Sequence, residues 1–126
     1  MSTYIAPLRD MRFVMTELTD LSALSSLPGL EEVTPELFHA VLEEAAKLAA
    51  EVLAPLNKTG DKQGARLTQD GVVAADGFAQ AYRQFSSGGW SGLSGDPKFG
   101  GQGLPELLHA ATVEMWNSSK IGRAHV

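Results

Sequence analysis

Apolar residues along this chain recur mainly at helical spacing. Leu8, Met11, Val14, Met15 and Leu18 fall three or four residues apart, with Arg9, Asp10, Arg12 and Glu17 between them. That period predicts one short amphipathic helix within residues 4–24, carried on by a turn through Leu21 and Leu24. Pro7 can open it, because the N–H that proline lacks has no partner in a first turn. Ser25-Ser26 and Pro28-Gly29 close it.

The strongest pattern covers residues 35–54. Thr34 is a good N-cap and Pro35 a good first helical residue. Phe38, Val41, Leu42, Ala45, Leu48, Ala49, Val52 and Leu53 form a broad apolar face, while Glu43, Glu44, Lys47 and Glu51 lie mostly opposite. Glu43 and Lys47 stand i,i+4 in the favourable order, worth about 0.3 kcal/mol. Pro55 is expected to end this helix, since it supplies no N–H and disfavours helical backbone at Ala54.

Residues 56–76 then read as loop. Within it, Arg66-Leu67-Thr68 and Val72-Val73 flank Asp70-Gly71 as a small hairpin or paired turn. A helix over 77–87 follows, with Asp76 as N-cap and Phe78, Ala81, Tyr82 and Phe85 on one face. Residues 88–105, GGWSGLSGDPKFGGQGLP, place seven glycines and two prolines around Trp90, Leu93 and Phe99. Pro105 opens a last helix with Leu107, Leu108, Ala111, Val113, Met115 and Trp116. The pattern predicts an all-α fold: a small bundle of about four helices with a Gly-rich loop and a candidate short hairpin.

Composition narrows the function classes. The chain has 126 residues, 44% of them hydrophobic, enough for the modest core of one small domain. Its net charge is −5, and its Lys and Arg residues are scattered, with no stripe to suit a phosphate backbone. Nucleic acid is therefore not an expected partner. There is no cysteine, which excludes disulfides and Cys-ligated metals and fits a cytoplasmic protein. No apolar run approaches the roughly 18 residues of a membrane span. Met1-Ser2-Thr3-Tyr4 lacks the basic flank and apolar run of a secretory signal.

Candidate chemistry is sparse. Glycines let backbone N–H groups approach an anion, but the Gly-rich loop lacks the Walker pattern and follows a helical segment rather than a strand. A tight connection using positive φ is the favoured reading, and its three large apolar residues imply that it packs on something. The three histidines, His39, His109 and His125, include no i,i+3 or i,i+4 pair for a metal. His39 sits at the edge of an apolar face, and His109 is expected to face solvent. Ser91 and Ser94 lie in no nucleophile-elbow pattern. Glu31-Glu32 and Glu43-Glu44 are adjacent, so each pair points apart on a helix and reads as solvated surface. Glu114 lies beside Met115 and Trp116, where a carboxyl could have a raised pKa, although a plain surface position is favoured. No catalytic residue, metal ligand or cofactor-binding residue is assigned.

Gly89-Trp90-Ser91-Gly92-Leu93 and then Pro97-Lys98-Phe99-Gly100-Gly101-Gln102-Gly103-Leu104-Pro105 resemble the acyl-CoA dehydrogenase pattern of Gly-Trp, a short loop and Pro-x-Tyr-Gly-Gly-x-Gly. Phe99 stands where Tyr is common, and Asp96 is not the usual residue before Pro97. Residues 53–61 resemble the end of that family's first long helix. Residues 4–14 resemble the amino-terminal extension of a bacterial branch that includes enzymes acting on 3-methylmercaptopropionyl-CoA. The resemblance runs from about residue 4 to 118. It implies an extension over 1–33 and an incomplete N-terminal-type helical domain over 34–119.

The resemblance also implies a parent enzyme, with FAD as cofactor, that oxidises an acyl-CoA to the 2,3-enoyl-CoA. In that family a carboxylate base removes the α-proton while hydride passes from Cβ to the flavin. The base lies in a later domain in most members, and no residue here matches it. The implied partners are the acyl-CoA and an electron-transfer partner, and the parent is expected to be a homo-oligomer. The implied part of this piece is to wall one side of the acyl pocket, chiefly through the 105–118 helix and its preceding loop. The piece is expected to be inactive alone.

Two other classes stay open: a helical partner-binding module, and a related flavoprotein without dehydrogenase activity. A self-sufficient module should melt cooperatively as a soluble monomer, whereas a fragment should expose apolar surface. The match stops after Asn117-Ser118. Residues 120–126, KIGRAHV, correspond to one reading frame of a common sequencing adapter and are expected to be a non-native tail, the alternative being a genuine divergent one.

Overall fold

The computed structural model describes residues 4–120. Among them the chain is predominantly helical, as the periodicity predicts. Helix α1 spans Leu8–Phe13 and runs on through a π-helical turn, Val14–Leu18. Met11 and Met15 are buried on one side, while Val14 and Leu18 are exposed, so the apolar stripe is only half used. A 3₁₀ turn, Leu21–Ser26, follows Asp20, which holds left-handed backbone at φ 46°.

Helix α2 spans Pro35–Lys47. Thr34 caps it as expected, its hydroxyl accepting from the Leu37 N–H at 3.2 Å. Pro55 does not end it. The helix passes through a π segment, Leu48–Leu53, straight into α3, Ala54–Gln63. Ala54 keeps helical backbone at φ −59°, ψ −41°, against the usual preference before proline. The extra residue of the π turn is the physical reason. It changes the bonding register to i→i−5, so that the Ala54 N–H donates to the Ala49 carbonyl. The shifted register accommodates a ring that would otherwise press on the carbonyl of residue 51. Ala49 and Leu53 are buried in this segment, which packs against the last helix and holds the chain helical past the proline.

The ion pairs also differ from the i,i+4 expectation. Lys47 donates to Glu44, three residues back, at 2.6 Å, and Glu43 instead receives Arg12 from α1. The Glu44 hydrogen bond holds the Lys47 ammonium above its ordinary pKa.

A two-stranded antiparallel hairpin follows, with β1 at Arg66–Thr68 and β2 at Gly71–Val73. Its register pairs Arg66 with Val73, Leu67 with Val72 and Thr68 with Gly71. Gln69 and Asp70 therefore form the two-residue tip, and Gly71, at φ 117°, starts the return strand. Helix α4 spans Phe78–Ser87. Asp76 does not cap it; Gly77, in left-handed backbone, occupies that position. The Asp76 N–H donates to Gln63 Oε1 at 2.9 Å, and Gln63 Nε2 donates to Asp76 Oδ2 at 3.1 Å. This clasp closes the hairpin arm at its base. Ala81 and Phe85 of α4 are buried, but Tyr82 points outward at 63% exposure.

Helix α5 spans Glu106–Ser119. Leu108 and Met115 are fully enclosed and Trp116 is nearly so. The same buried cluster takes in Ala6, Met11, Met15, Leu21 and Val33 from the first 33 residues, together with residues of α2, α4 and α5. Removing α1 would therefore open the common core. Among the described residues no helix is long and apolar enough to cross a membrane.

Candidate functional site

The Gly-rich stretch folds into a compact doubled-back turn. It leaves α4 through Gly88 and Gly89, whose N–H groups donate to the carbonyls of Gln84 and Ser86. A 3₁₀ turn, Trp90–Gly92, lays the Trp90 ring edge-on to Trp116 of α5, with centroids 5.4 Å apart. Phe85 meets the same Trp116 ring at 5.5 Å and 84°. Trp116 thus joins α4, the turn and α5 through edge contacts of the kind aromatic rings favour. Leu93 is buried beside them.

The chain then reverses. Gln102, Gly103 and Leu104 donate backbone N–H bonds of 2.9–3.0 Å to the carbonyls of Gly92, Gly95 and Leu93. The reversal is built around Asp96-Pro97. The Asp96 side chain accepts from the Lys98 N–H at 2.8 Å, and its carbonyl accepts from Phe99 and Gly101. Asp96, unusual for the family pattern, therefore has a local task as the cap of the Pro97–Phe99 turn. The two arms are so close that a Cβ on Gly101 would intrude on the Gly95 carbonyl. Trp90 and Leu93 pack inward as their apolar character predicts, but Phe99 is 83% exposed.

This geometry decides the anion question. All seven glycine N–H groups of the turn donate within the chain: Gly88 to Gln84, Gly89 to Ser86, Gly92 to Gly89, Gly95 to Gly92, Gly100 to Pro97, Gly101 to Asp96 and Gly103 to Gly95. A phosphate cradle needs converging donors left open for the ligand. Here the glycines serve tight backbone approach instead.

The other candidates are dispersed. His39 and His109 are both half-buried, and each has one ring nitrogen enclosed without a hydrogen-bond partner: Nε2 of His39 and Nδ1 of His109. His109 thus departs from the expected solvent-facing position. It lies next to fully buried Leu108 on a helix that is enclosed over a wide arc, which takes in part of its ring. His125 lies outside the described residues. No group of three or more His, Asp or Glu able to hold a metal occurs among the described residues.

The acids are surface groups. Hydrogen bonds from its own N–H and that of Gly29 hold the Glu31 carboxyl below its ordinary pKa. Glu36 is lowered by its own backbone N–H and then by the Thr34 hydroxyl. Glu32, Glu43, Glu44 and Glu114 are exposed. Glu114 acts instead on a neighbour: burial first, and then the Glu114 charge, raise the pKa of Tyr4, whose hydroxyl is enclosed without a partner. Sequence reading missed this pairing because residues 4 and 114 meet only in three dimensions. It also missed two buried hydroxyls on α5 that bond back to their own helix, Thr112 to the His109 carbonyl and Ser119 to that of Trp116. An open depression on α4 is lined by Gln80, Arg83, Gln84, Ser86 and Ser87. Its serine hydroxyls already donate to the Arg83 and Gln84 carbonyls.

At the end of α5, the Lys120 N–H donates to Trp116 and its ammonium stands 3.4 Å from the Phe78 ring centroid. The remainder of the tail expected to be non-native, residues 121–126, lies outside the described residues.

No family model matches the chain. It is 38% identical over 117 residues to the 3-methylmercaptopropionyl-CoA dehydrogenase of Ruegeria pomeroyi. That match takes in 93% of this chain and 20% of the relative, so the chain spans about one-fifth of the length of the curated protein it matches. The likeness read from residues 4–14, 53–61 and 89–105 therefore extends over nearly the whole chain, which is related in sequence to one-fifth of an acyl-CoA dehydrogenase.

Proposed function

We propose that this chain is the helical N-terminal part of an FAD-dependent acyl-CoA dehydrogenase, comprising an extension over residues 1–33 and an incomplete N-terminal-type domain over 34–119. The sequence identity to the Ruegeria enzyme over 93% of the chain is the observation that carries this reading. The parent would convert an acyl-CoA thioester to its 2,3-enoyl-CoA and pass electrons to a protein partner, as a cytoplasmic homo-oligomer. This piece would form one wall of the acyl pocket, through α5 and the turn that Trp90 and Leu93 lock against it.

The residues present do not make a flavin site by themselves. The glycine N–H donors of the turn are committed to the chain's own carbonyls, and the depression on α4 is open to solvent and not enclosed. No step of the reaction is therefore assigned to a residue of this chain. Its contribution is structural: a rigid apolar support under one side of the pocket.

Two measurements test the reading. The purified 126-residue chain, mixed with FAD and a series of acyl-CoA thioesters, should retain no flavin and reduce no electron acceptor. Flavin retained through gel filtration, with turnover, would overturn the assignment of the chemistry to other parts of the parent. The genomic locus should continue in frame beyond codon 119 into sequence related to the rest of the Ruegeria enzyme. An immediate genomic stop after the codons for residues 120–126 would sink the parentage and the non-native tail together, and favour a self-sufficient helical module.

A further inference from the structure

The hairpin arm carries an apolar surface that nothing among the described residues covers. Leu67 and Val72 are directly paired across the strands and so share one face, and they are 84% and 74% exposed. Strands alternate their side chains, so Arg66, Thr68 and Val73 lie on the other face. No residue of either strand is buried. A lone two-stranded hairpin is marginal in water and gains stability when one face packs on something. Its position is nonetheless held, by the Gln63–Asp76 clasp at its base.

Where α5 ends bears on what covers it. The Phe78 ring lies over Gly60 of α3, and the first position past α5, residue 120, is set beside the same ring, so α5 ends there whichever residue follows Ser119 in the longer enzyme. Gly60 is three residues before Gln63, where the arm leaves α3, and Phe78 is two residues after Asp76, where it returns. The exit from α5 and both feet of the hairpin therefore converge at one end of the bundle. The relative is about five times the length this chain spans, so ample polypeptide is available to reach the arm. A second copy is a poorer occupant, because a two-residue apolar face is far short of the roughly 1,000 Å² that a stable protein interface buries.

We propose that the Leu67–Val72 face is the docking surface for the polypeptide that follows α5 in the longer enzyme, which would present an apolar patch to it. The proposal rests on the reading of this chain as part of such an enzyme.

The absence of cysteine makes the test direct. A Leu67→Cys substitution introduces the only thiol of the 126-residue chain. The same substitution is made in a chimera joining residues 1–119 to the part of the Ruegeria enzyme that follows its matched segment, with labelling at residue 67 followed by peptide mass spectrometry. The isolated chain should react with a maleimide at the rate of an unfolded control, and the chimera at least ten-fold more slowly. A chimera that retains flavin yet reacts at the unprotected rate overturns the docking face and leaves the parentage standing. Protection without flavin supports the face while the functional reading fails. Protection already present in the 126-residue chain, at a dimer's elution position, assigns the face to a second copy and overturns the proposal. A second variant, Leu67→Ser with Val72→Ser, should leave the melting temperature of the isolated chain unchanged and lower that of the chimera. An unchanged chimera overturns the proposal independently.

Discussion

Gly101 lies so close to the backbone of Gly95 that no side chain fits between the two arms of the turn. This contact accounts for a glycine in the Gly-Gly-x-Gly part of the motif, and it does so through packing rather than ligand binding. Gly101→Ala should therefore cost about 2 kcal/mol or more, because neither backbone arm can yield cheaply. Gly100→Ala, where the added Cβ meets open space but φ is +85°, should cost about 1 kcal/mol for conformation alone. Urea denaturation of the two variants should rank them in that order, and the reverse order would show that the two arms are not in contact.

The π segment before Pro55 should be dispensable once the proline is gone. Proline inside a regular helix costs about 3 kcal/mol relative to alanine, and the π turn accommodates much of that. Pro55→Ala should leave helical content unchanged and raise stability by about 1 kcal/mol. A clear loss of stability would mean that the ring makes a favourable contact that its exposed position does not suggest.

The clasp between Gln63 and Asp76 should govern the hairpin arm locally. Gln63→Ala removes both hydrogen bonds, each exposed, and should cost about 0.5–1 kcal/mol. Amide exchange within residues 66–73 should accelerate, while exchange in α2 and α5 stays as it was. Uniform acceleration across the chain would place the clasp in the global unfolding unit instead.

Tyr4 should give the fold an alkaline limit. Burial, and then the Glu114 charge, raise its folded-state pKa above the unfolded value near 10. The folded state therefore holds this proton more tightly than the unfolded chain. Its contribution is complete below about pH 10 and is lost as pH rises through the folded pKa. Tyr4→Phe should flatten the fall in stability above about pH 10 and cost little at neutral pH, since the hydroxyl has no partner to lose. Glu114→Gln should lower the Tyr4 titration midpoint, read from phenolate absorbance. An unmoved midpoint would remove Glu114 as a cause.

Local chemistry was legible from the sequence wherever a neighbour in the chain decided it. Thr34 and Pro35 start α2, the 3.6-residue period buries Phe38, Leu42, Ala45 and Ala49, and Thr68 to Gly71 turns a hairpin, all through contacts a few residues apart. The family likeness was legible for the same reason, since its motif is a run of backbone requirements met by consecutive residues. The tertiary structure decided what depends on distant partners. Packing against α5 carries the helix through Pro55, which local rules say should end it. Gln63 draws Asp76 away from the cap that its position before α4 suggested. Arg12 takes Glu43 from Lys47, and Glu114 reaches Tyr4 across more than a hundred residues. The commitment of every glycine N–H in the turn also depended on its doubling back, which is what turns these donors onto the chain's own carbonyls. Spacing specifies which groups are available, but only the folded chain specifies which of them are already taken.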